Sequence, residues 1–72
     1  MNTIPMRARS HRARERLMRL APSTEARVSI YDDAIYLVPT EHVDAARKIP
    51  GVCRARMKPG VTYRKPWKMS DR

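Results

Sequence analysis

The side chains that most often carry catalytic or metal chemistry are few and scattered in this sequence. His11, His42 and Cys53 show neither CxxC nor HxxxH spacing, and two His with one Cys fall short of a closed zinc site. Asp32 and Asp33 are adjacent, but no candidate nucleophile lies near them, and such acids are common in turns. We therefore expect no metal, no cofactor and no enzymatic activity.

The single cysteine bears on the compartment. Cys53 has no second cysteine with which to form an internal disulfide, as is usual in a reducing cytoplasm. It alternates with Ala55 and Met57, which favours a small buried hydrophobe over a reactive thiol. No apolar run approaches the roughly 18–20 residues that span a membrane. These features predict a soluble, cytoplasmic protein.

The chemistry that the sequence does offer is the recognition of anions by arginine. Sixteen Lys and Arg against seven Asp and Glu give a net charge of +9, and twelve of the sixteen are Arg. A guanidinium group binds phosphate or carboxylate with two parallel hydrogen bonds, which an ammonium group does not. The composition favours a nucleic acid, an anionic membrane surface or an acidic protein as the partner.

The positive charge lies at the two ends of the chain. Residues 7–20 contain six Arg and one acid, Glu15, and residues 51–72 contain seven basic residues and one acid, Asp71. The middle of the chain is nearly neutral. This distribution suggests a fold in the middle with binding functions at both ends.

The first basic block has the pattern of a short helix. Ser10 is a candidate N-cap for a helix over residues 11–21, in which Leu17, Leu20 and Ala21 share one side. Arg12, Arg16 and Arg19 line the neighbouring face. Because the stripe is short and like charges repel at i, i+4, we expect residues 1–25 to form a flexible or helical arm and linker that orders on a partner.

Three interpretations of this arm remain open: docking in the groove of a protein within a nucleic-acid machine, direct binding of RNA or DNA, and a solvated tail with no specific role. In the first, Leu17 and Leu20 supply the apolar anchor. The candidate partner-binding residues are Arg7, Arg9, Arg12, Arg14, Arg16, Leu17, Arg19 and Leu20.

Residues 26–67 read as one small α+β domain. Alternating residues around Asp32 and Asp33 predict a β-hairpin, with a loop that is longer than two residues because it lacks Gly. Thr40 is a candidate N-cap for a helix of about ten residues that Pro50 and Gly51 end. Residues 52–57 predict a strand, residues 61–64 a possible further strand, and residues 68–72 a tail. The predicted order is ββαβ.

A second basic surface is predicted on the last strand and the segment that follows it. Basic residues interleaved with aromatic ones are typical of surfaces that hold phosphates while rings stack on bases. The alternative is that Tyr63 and Trp67 cap the small core. The nucleic-acid-facing candidates are Arg54, Arg56, Lys58, Tyr63, Arg64, Lys65, Trp67 and Lys68.

In its size, its Arg- and Ala-rich composition and its basic arm before an α+β body, the chain resembles the small RNA-polymerase-binding regulators encoded by lytic bacteriophages such as those of Xanthomonas. Residues 7–20 also resemble the arginine-rich RNA-binding arms of phage antiterminators. The resemblance implies binding of the host polymerase near the RNA exit channel, inhibition of initiation and read-through of terminators.

We therefore expect a non-enzymatic, monomeric transcription regulator that binds host RNA polymerase subunits through its N-terminal arm, with nascent RNA or DNA near the C-terminal surface. The alternatives are a stand-alone arginine-rich RNA- or DNA-binding module and a small inhibitor or antitoxin that blocks a partner enzyme.

Overall fold

Five strands and two helices make up residues 2–65, the part of the chain that the computed structural model describes. In chain order they are β1 (Thr3–Ala8), α1 (His11–Leu20), β2 (Glu25–Ser29), β3 (Ala34–Pro39), α2 (Thr40–Arg47), β4 (Val52–Arg54) and β5 (Tyr63–Arg64).

The strands form one antiparallel sheet in the order β4-β1-β3-β2-β5. The first strand lies inside the sheet, where Met6 is opposite Tyr36 of β3 and Arg54 of β4. Without β5, the element order βαββαβ and the strand order 4-1-3-2 are those of the split βαβ, or ferredoxin-like, arrangement. The predicted α+β class is confirmed.

The predicted ββαβ order is wrong, because residues 3–20 belong to the domain as β1 and α1. The predicted loose lead-in rested on Pro5, which cannot donate a backbone hydrogen bond. The Pro5 carbonyl accepts from the Ala55 amide at 3.0 Å, so its missing N–H would also point to the β4 side, where β4 has ended, and no bond of the β1–β3 ladder is lost. The domain therefore begins near Thr3 rather than at residue 26.

The hairpin prediction is confirmed, and the β2–β3 turn contains four residues, 30–33. The start of α2 differs from the prediction. Thr40 is the first residue of this helix and Pro39 takes the N-cap position without a side-chain hydrogen bond. The helix also ends at Arg47, before the predicted end at Ile49. β4 is shorter than predicted, and β5 falls within the predicted residues 61–64.

The predicted helix in the first basic block is confirmed, and its ends are satisfied. The Ser10 hydroxyl accepts a hydrogen bond from the Ala13 amide at 3.0 Å, as an N-cap does. At the other end the Ala21 amide donates to the Leu17 carbonyl at 2.9 Å. A frayed helix is therefore not what the structure shows.

Both helices pack on one side of the sheet, and α1 contributes most of its apolar stripe to the core. Leu17 is 0% exposed and packs in the same cluster as Met6 and Val38 of the central strands. The buried members of this cluster are Met6, Ala13, Leu17, Ala21, Tyr36, Val38, Ala46 and Val52. A chain this small buries few large side chains, so each one contributes a large share of the stability.

The opposite side of the sheet is also partly covered. Ile35 alternates with Tyr36 along β3, so it faces away from the helices, and it is nevertheless 0% exposed. The connection from β4 to β5 must pass from one edge of the sheet to the other, a span of about 19 Å at the usual strand spacing. Burial of Ile35 indicates that this connection, residues 55–62, crosses the face.

Replacing Leu17 with Ala is expected to destabilise the domain by about 2–5 kcal/mol, because it removes a fully buried side chain from a core with few others. Urea unfolding followed by circular dichroism measures this change. Arg16→Ala, one residue away on the exposed side of α1, is the control and should change stability by less than about 0.5 kcal/mol. Equal, small effects of both substitutions would mean that residues 11–20 are an arm outside the core.

Candidate nucleic-acid interface

The side of α1 that faces away from the core carries arginine at helical spacing. Arg12, Arg16 and Arg19 are separated by four and three residues and are all exposed. At a rise of 1.5 Å per residue, their backbones span roughly 10 Å along the helix axis. The predicted arginine face thus exists as a continuous strip on the surface.

These three guanidinium groups have no carboxylate within ion-pair distance among residues 2–65. Three of the six acids in that range pair with other residues: Glu15 with His11 at 3.1 Å, Glu25 with Arg27 at 2.8 Å and Glu41 with His42 at 3.5 Å. A cation without an intramolecular partner can bind an external anion at little free-energy cost, because no existing ion pair must be broken. The strip is therefore electrostatically available.

The strip is also held rigidly. Ala13 and Leu17 fix one side of α1 in the core, and the Ser10 hydroxyl caps its first turn. The Arg9 amide donates to the Gly51 carbonyl at 2.8 Å, which ties the segment before α1 to the start of β4. Only the arginine side chains themselves must order on binding, so less conformational entropy is lost than for a disordered arm.

The other residues predicted for this site are dispersed. Arg7 lies on β1 opposite Cys53, on the sheet face away from the helices, and Arg9 lies in the β1–α1 connection. Arg14 is beside the sheet, where its guanidinium contacts the His11 ring at 3.3 Å. The structure therefore brings together three of the six predicted arginines.

Leu17, one of the two residues of the predicted apolar anchor, is not accessible to a partner. Leu17 is fully buried in the core and Leu20 packs against the same cluster from the α1–α2 side. The Leu17 side chain therefore cannot enter a partner's groove while the domain is folded, whereas Leu20 is partly exposed and lines an open depression with Arg16 and Arg19. What sequence analysis read as a docking stripe is the side of the helix that holds the fold together.

The second predicted basic surface is divided between two edges of the sheet. Arg54 ends β4 at one edge, while Arg64 lies in β5 at the other, with three strands between them. Arg56 and Lys58 lie in the connection, and Lys65 follows β5. Trp67 and Lys68 lie outside the described residues. The described basic residues of this set do not form one continuous surface.

Tyr63, the aromatic residue of that set within the described range, is engaged in the fold. Its hydroxyl accepts a hydrogen bond from the Lys58 amide at 3.1 Å, and its ring is half-buried beside Ser29 of β2. This contact fixes the crossing connection. It favours the structural interpretation of Tyr63 over base stacking.

Sequence analysis missed the most exposed apolar residues of residues 2–65. Ile30 and Tyr31 lie in the β2–β3 turn and are 60% and 67% exposed. The lack of Gly in the turn after β2 did predict a longer loop, but it did not show at which residue that loop begins.

Residues 2–65 contain no cluster of three or more His, Cys, Asp or Glu side chains that could hold a metal ion. Cys53 is partly buried, less so than predicted. None of the described helices is both long enough and apolar enough to cross a membrane.

Comparison with protein-family models, with characterised proteins and with solved structures finds no match to this chain.

Replacing Arg16 with Gln should leave stability unchanged or raise it by up to about 0.5 kcal/mol, because it relieves repulsion from Arg12 and breaks no ion pair. Urea unfolding measures the effect, with Arg27→Gln, which loses the 2.8 Å pair with Glu25, as the comparison. A loss of more than 1 kcal/mol at Arg16 would assign that residue to the fold rather than to binding.

Proposed function

We propose that this protein is a non-enzymatic nucleic-acid-binding module that grips the phosphate backbone with Arg12, Arg16 and Arg19 of α1. The observation that supports this best is that these three exposed side chains share one face of α1, with no carboxylate within ion-pair distance among residues 2–65. The site, and not the fold, supports this function, because the ferredoxin-like arrangement is compatible with many unrelated activities.

The physical basis is exchange of counterions. Each guanidinium that replaces a condensed cation at a phosphate releases that cation, which drives binding and makes it weaker at high salt. Arginine adds two parallel hydrogen bonds to a phosphate group, so the side chains orient as well as attract. The net charge of +9 adds a long-range attraction that speeds encounter.

Duplex nucleic acid suits this surface better than single strands. Proteins that bind single strands stack bases on exposed aromatic rings. Among residues 2–65, Tyr36 is buried, the Tyr63 hydroxyl is occupied, and Tyr31 lies next to Asp32 and Asp33, which repel phosphate. Contacts between arginine side chains and the phosphate backbone of a duplex need no exposed aromatic ring. We therefore place duplex RNA or DNA first among the ligands.

Regulation of host RNA polymerase, by inhibition of initiation or by antitermination near the RNA exit channel, is the second candidate. The same free guanidinium groups would bind carboxylates on an acidic polymerase surface. This version no longer uses Leu17, which belongs to the core. It requires instead that the arginine strip, with the partly exposed Leu20 beside it, recognises the polymerase.

Fluorescence anisotropy of labelled duplexes across a salt series tests the proposal. Replacing Arg12, Arg16 and Arg19 together with Gln should weaken binding strongly and reduce the slope of log affinity against log salt by roughly 2.7 on DNA, from about 0.9 per phosphate contact. The charge-matched control replaces Arg47, Lys48 and Lys65 with Gln. It should reduce the slope by less than about 0.9, the value for a single phosphate contact.

Equal losses of duplex affinity in the two triple variants would contradict a localised binding site and would indicate only non-specific attraction to the positive charge of the whole protein. Tighter binding of single strands than of duplexes would contradict the choice of ligand. If the protein ignores both nucleic acids but binds purified polymerase through the same three arginines, the second candidate replaces the first.

A further inference from the structure

The β2–β3 turn presents two large apolar side chains to water. We call residues 30–33 the hairpin tip. Ile30 is 60% and Tyr31 67% exposed, and the next large apolar side chain among residues 2–65, Met57, is 37% exposed. Single exposed apolar residues are common on protein surfaces. Two adjacent large ones form a contiguous apolar patch, and such patches often mark interaction sites.

The hairpin tip is ordered by its own hydrogen bonds. The buried Ser29 hydroxyl accepts from the Tyr31 amide at 3.1 Å and from the Asp33 amide at 3.2 Å. The Ser29 carbonyl accepts from the Asp32 amide at 3.0 Å, and Asp32 has φ of 67°, a conformation that Asp tolerates better than most residues. Such a turn displays Ile30 and Tyr31 with little entropy left to lose on binding.

A groove with complementary character lies beside the same hairpin. It runs between α1 and the β2–β3 pair, has a volume of about 430 Å³, and has a mainly apolar floor. The apolar lining consists of Met18, Ala26, Val28, Ala34 and Tyr36. Its size is within the range of cavities that hold small ligands or a pair of side chains.

The rim of the groove is mainly basic. Arg14 and Arg19 border it on the α1 side, and Arg64 is the cross-strand partner of Val28, on the same face of the sheet. Glu15 also borders it, and its carboxylate pairs with His11 at 3.1 Å. The hairpin tip, by contrast, carries the adjacent acids Asp32 and Asp33. An acidic, apolar projection and a basic-rimmed, apolar groove thus occur on one chain.

We propose that the hairpin tip of one copy occupies the groove of a second copy, forming a two-fold symmetric dimer. Ile30 and Tyr31 cover the apolar floor, and the tip carboxylates face the basic rim. Within one chain the exposure of Ile30 and Tyr31 shows that the tip does not fill its own groove. A two-fold axis makes the contact reciprocal, so each tip occupies the groove of the other copy. The groove residues Val28 and Ala34 lie just before and after the tip.

Charge argues for a second copy over nucleic acid as the occupant. Asp32 and Asp33 repel phosphates, so the tip is poorly suited to a duplex. Two bodies of +9 also repel each other, but that repulsion is screened beyond about 8 Å at physiological salt, while the contacts inside the interface are of opposite sign. The dimer would replace the monomer expected from the sequence.

Sedimentation of the full chain without nucleic acid, over a range of concentrations at physiological salt, tests the proposal. The expected result is a mass that rises from 8.4 kDa toward twice that value. Ile30→Ser with Tyr31→Ser should hold the mass at the monomer value, while Met57→Ser, the other exposed apolar side chain, should leave association unchanged. Circular dichroism checks that each variant remains folded.

A charge exchange makes the assignment specific. Asp33→Arg and Arg14→Asp should each weaken association at least tenfold, and the two changes in one chain should restore most of it. Neither residue belongs to the proposed nucleic-acid strip, so failure here leaves that strip untouched. A monomer at every concentration would overturn the proposal. So would association that survives the tip substitutions, or charge exchange without restoration.

Discussion

The burial of one narrow apolar stripe on α1 is the constraint on which the rest of this structure depends. Ala13 and Leu17 are enclosed between the helix and the central strands, where they meet Met6, Tyr36 and Val38. A domain of this size has few other large side chains to bury, so its core needs the apolar stripe of α1, which is not free to contact a partner. Once it is buried, the orientation of α1 is fixed and its arginines face water.

That constraint also explains how far the sequence alone could lead. Ser10 as a cap, the helix after it, the hairpin and the arginine face all follow from local patterns, and the structure contains them. The first strand did not follow, because Pro5 and Arg7 hide the alternation of apolar residues in β1. Its placement inside the sheet depends on pairing with β3 and β4, which are distant in sequence. Tertiary contacts override local preference here.

The same limit applies to the candidate site. Sequence spacing placed Arg12, Arg16 and Arg19 on one face correctly, because helical periodicity is a local property. It also grouped Arg54 with Arg64, which the sheet order separates to opposite edges. Which basic residues share a surface depends on the topology. The sequence pattern around Leu17 fits both a buried core residue and an apolar anchor for a partner. Only its position against the sheet shows that it is a core residue.

Charge is distributed so that different surfaces suit different partners. The arginine strip on α1 has no carboxylate partner within residues 2–65 and favours polyanions, whereas Asp32 and Asp33 make the hairpin tip unfavourable for them. The strip lies on α1, and the hairpin tip lies between β2 and β3. Arg19 belongs to the strip and also lines the groove, so the two surfaces share this one residue.

The most direct test of the central claim is to follow the arginine side-chain Nε–H signals by NMR while a short duplex is added at moderate salt. The account predicts that the signals of Arg12, Arg16 and Arg19 shift first and furthest, while those of Arg54, Arg56 and Arg64 change little. Early shifts of Arg54, Arg56 or Arg64 with an unchanged α1 strip would contradict it.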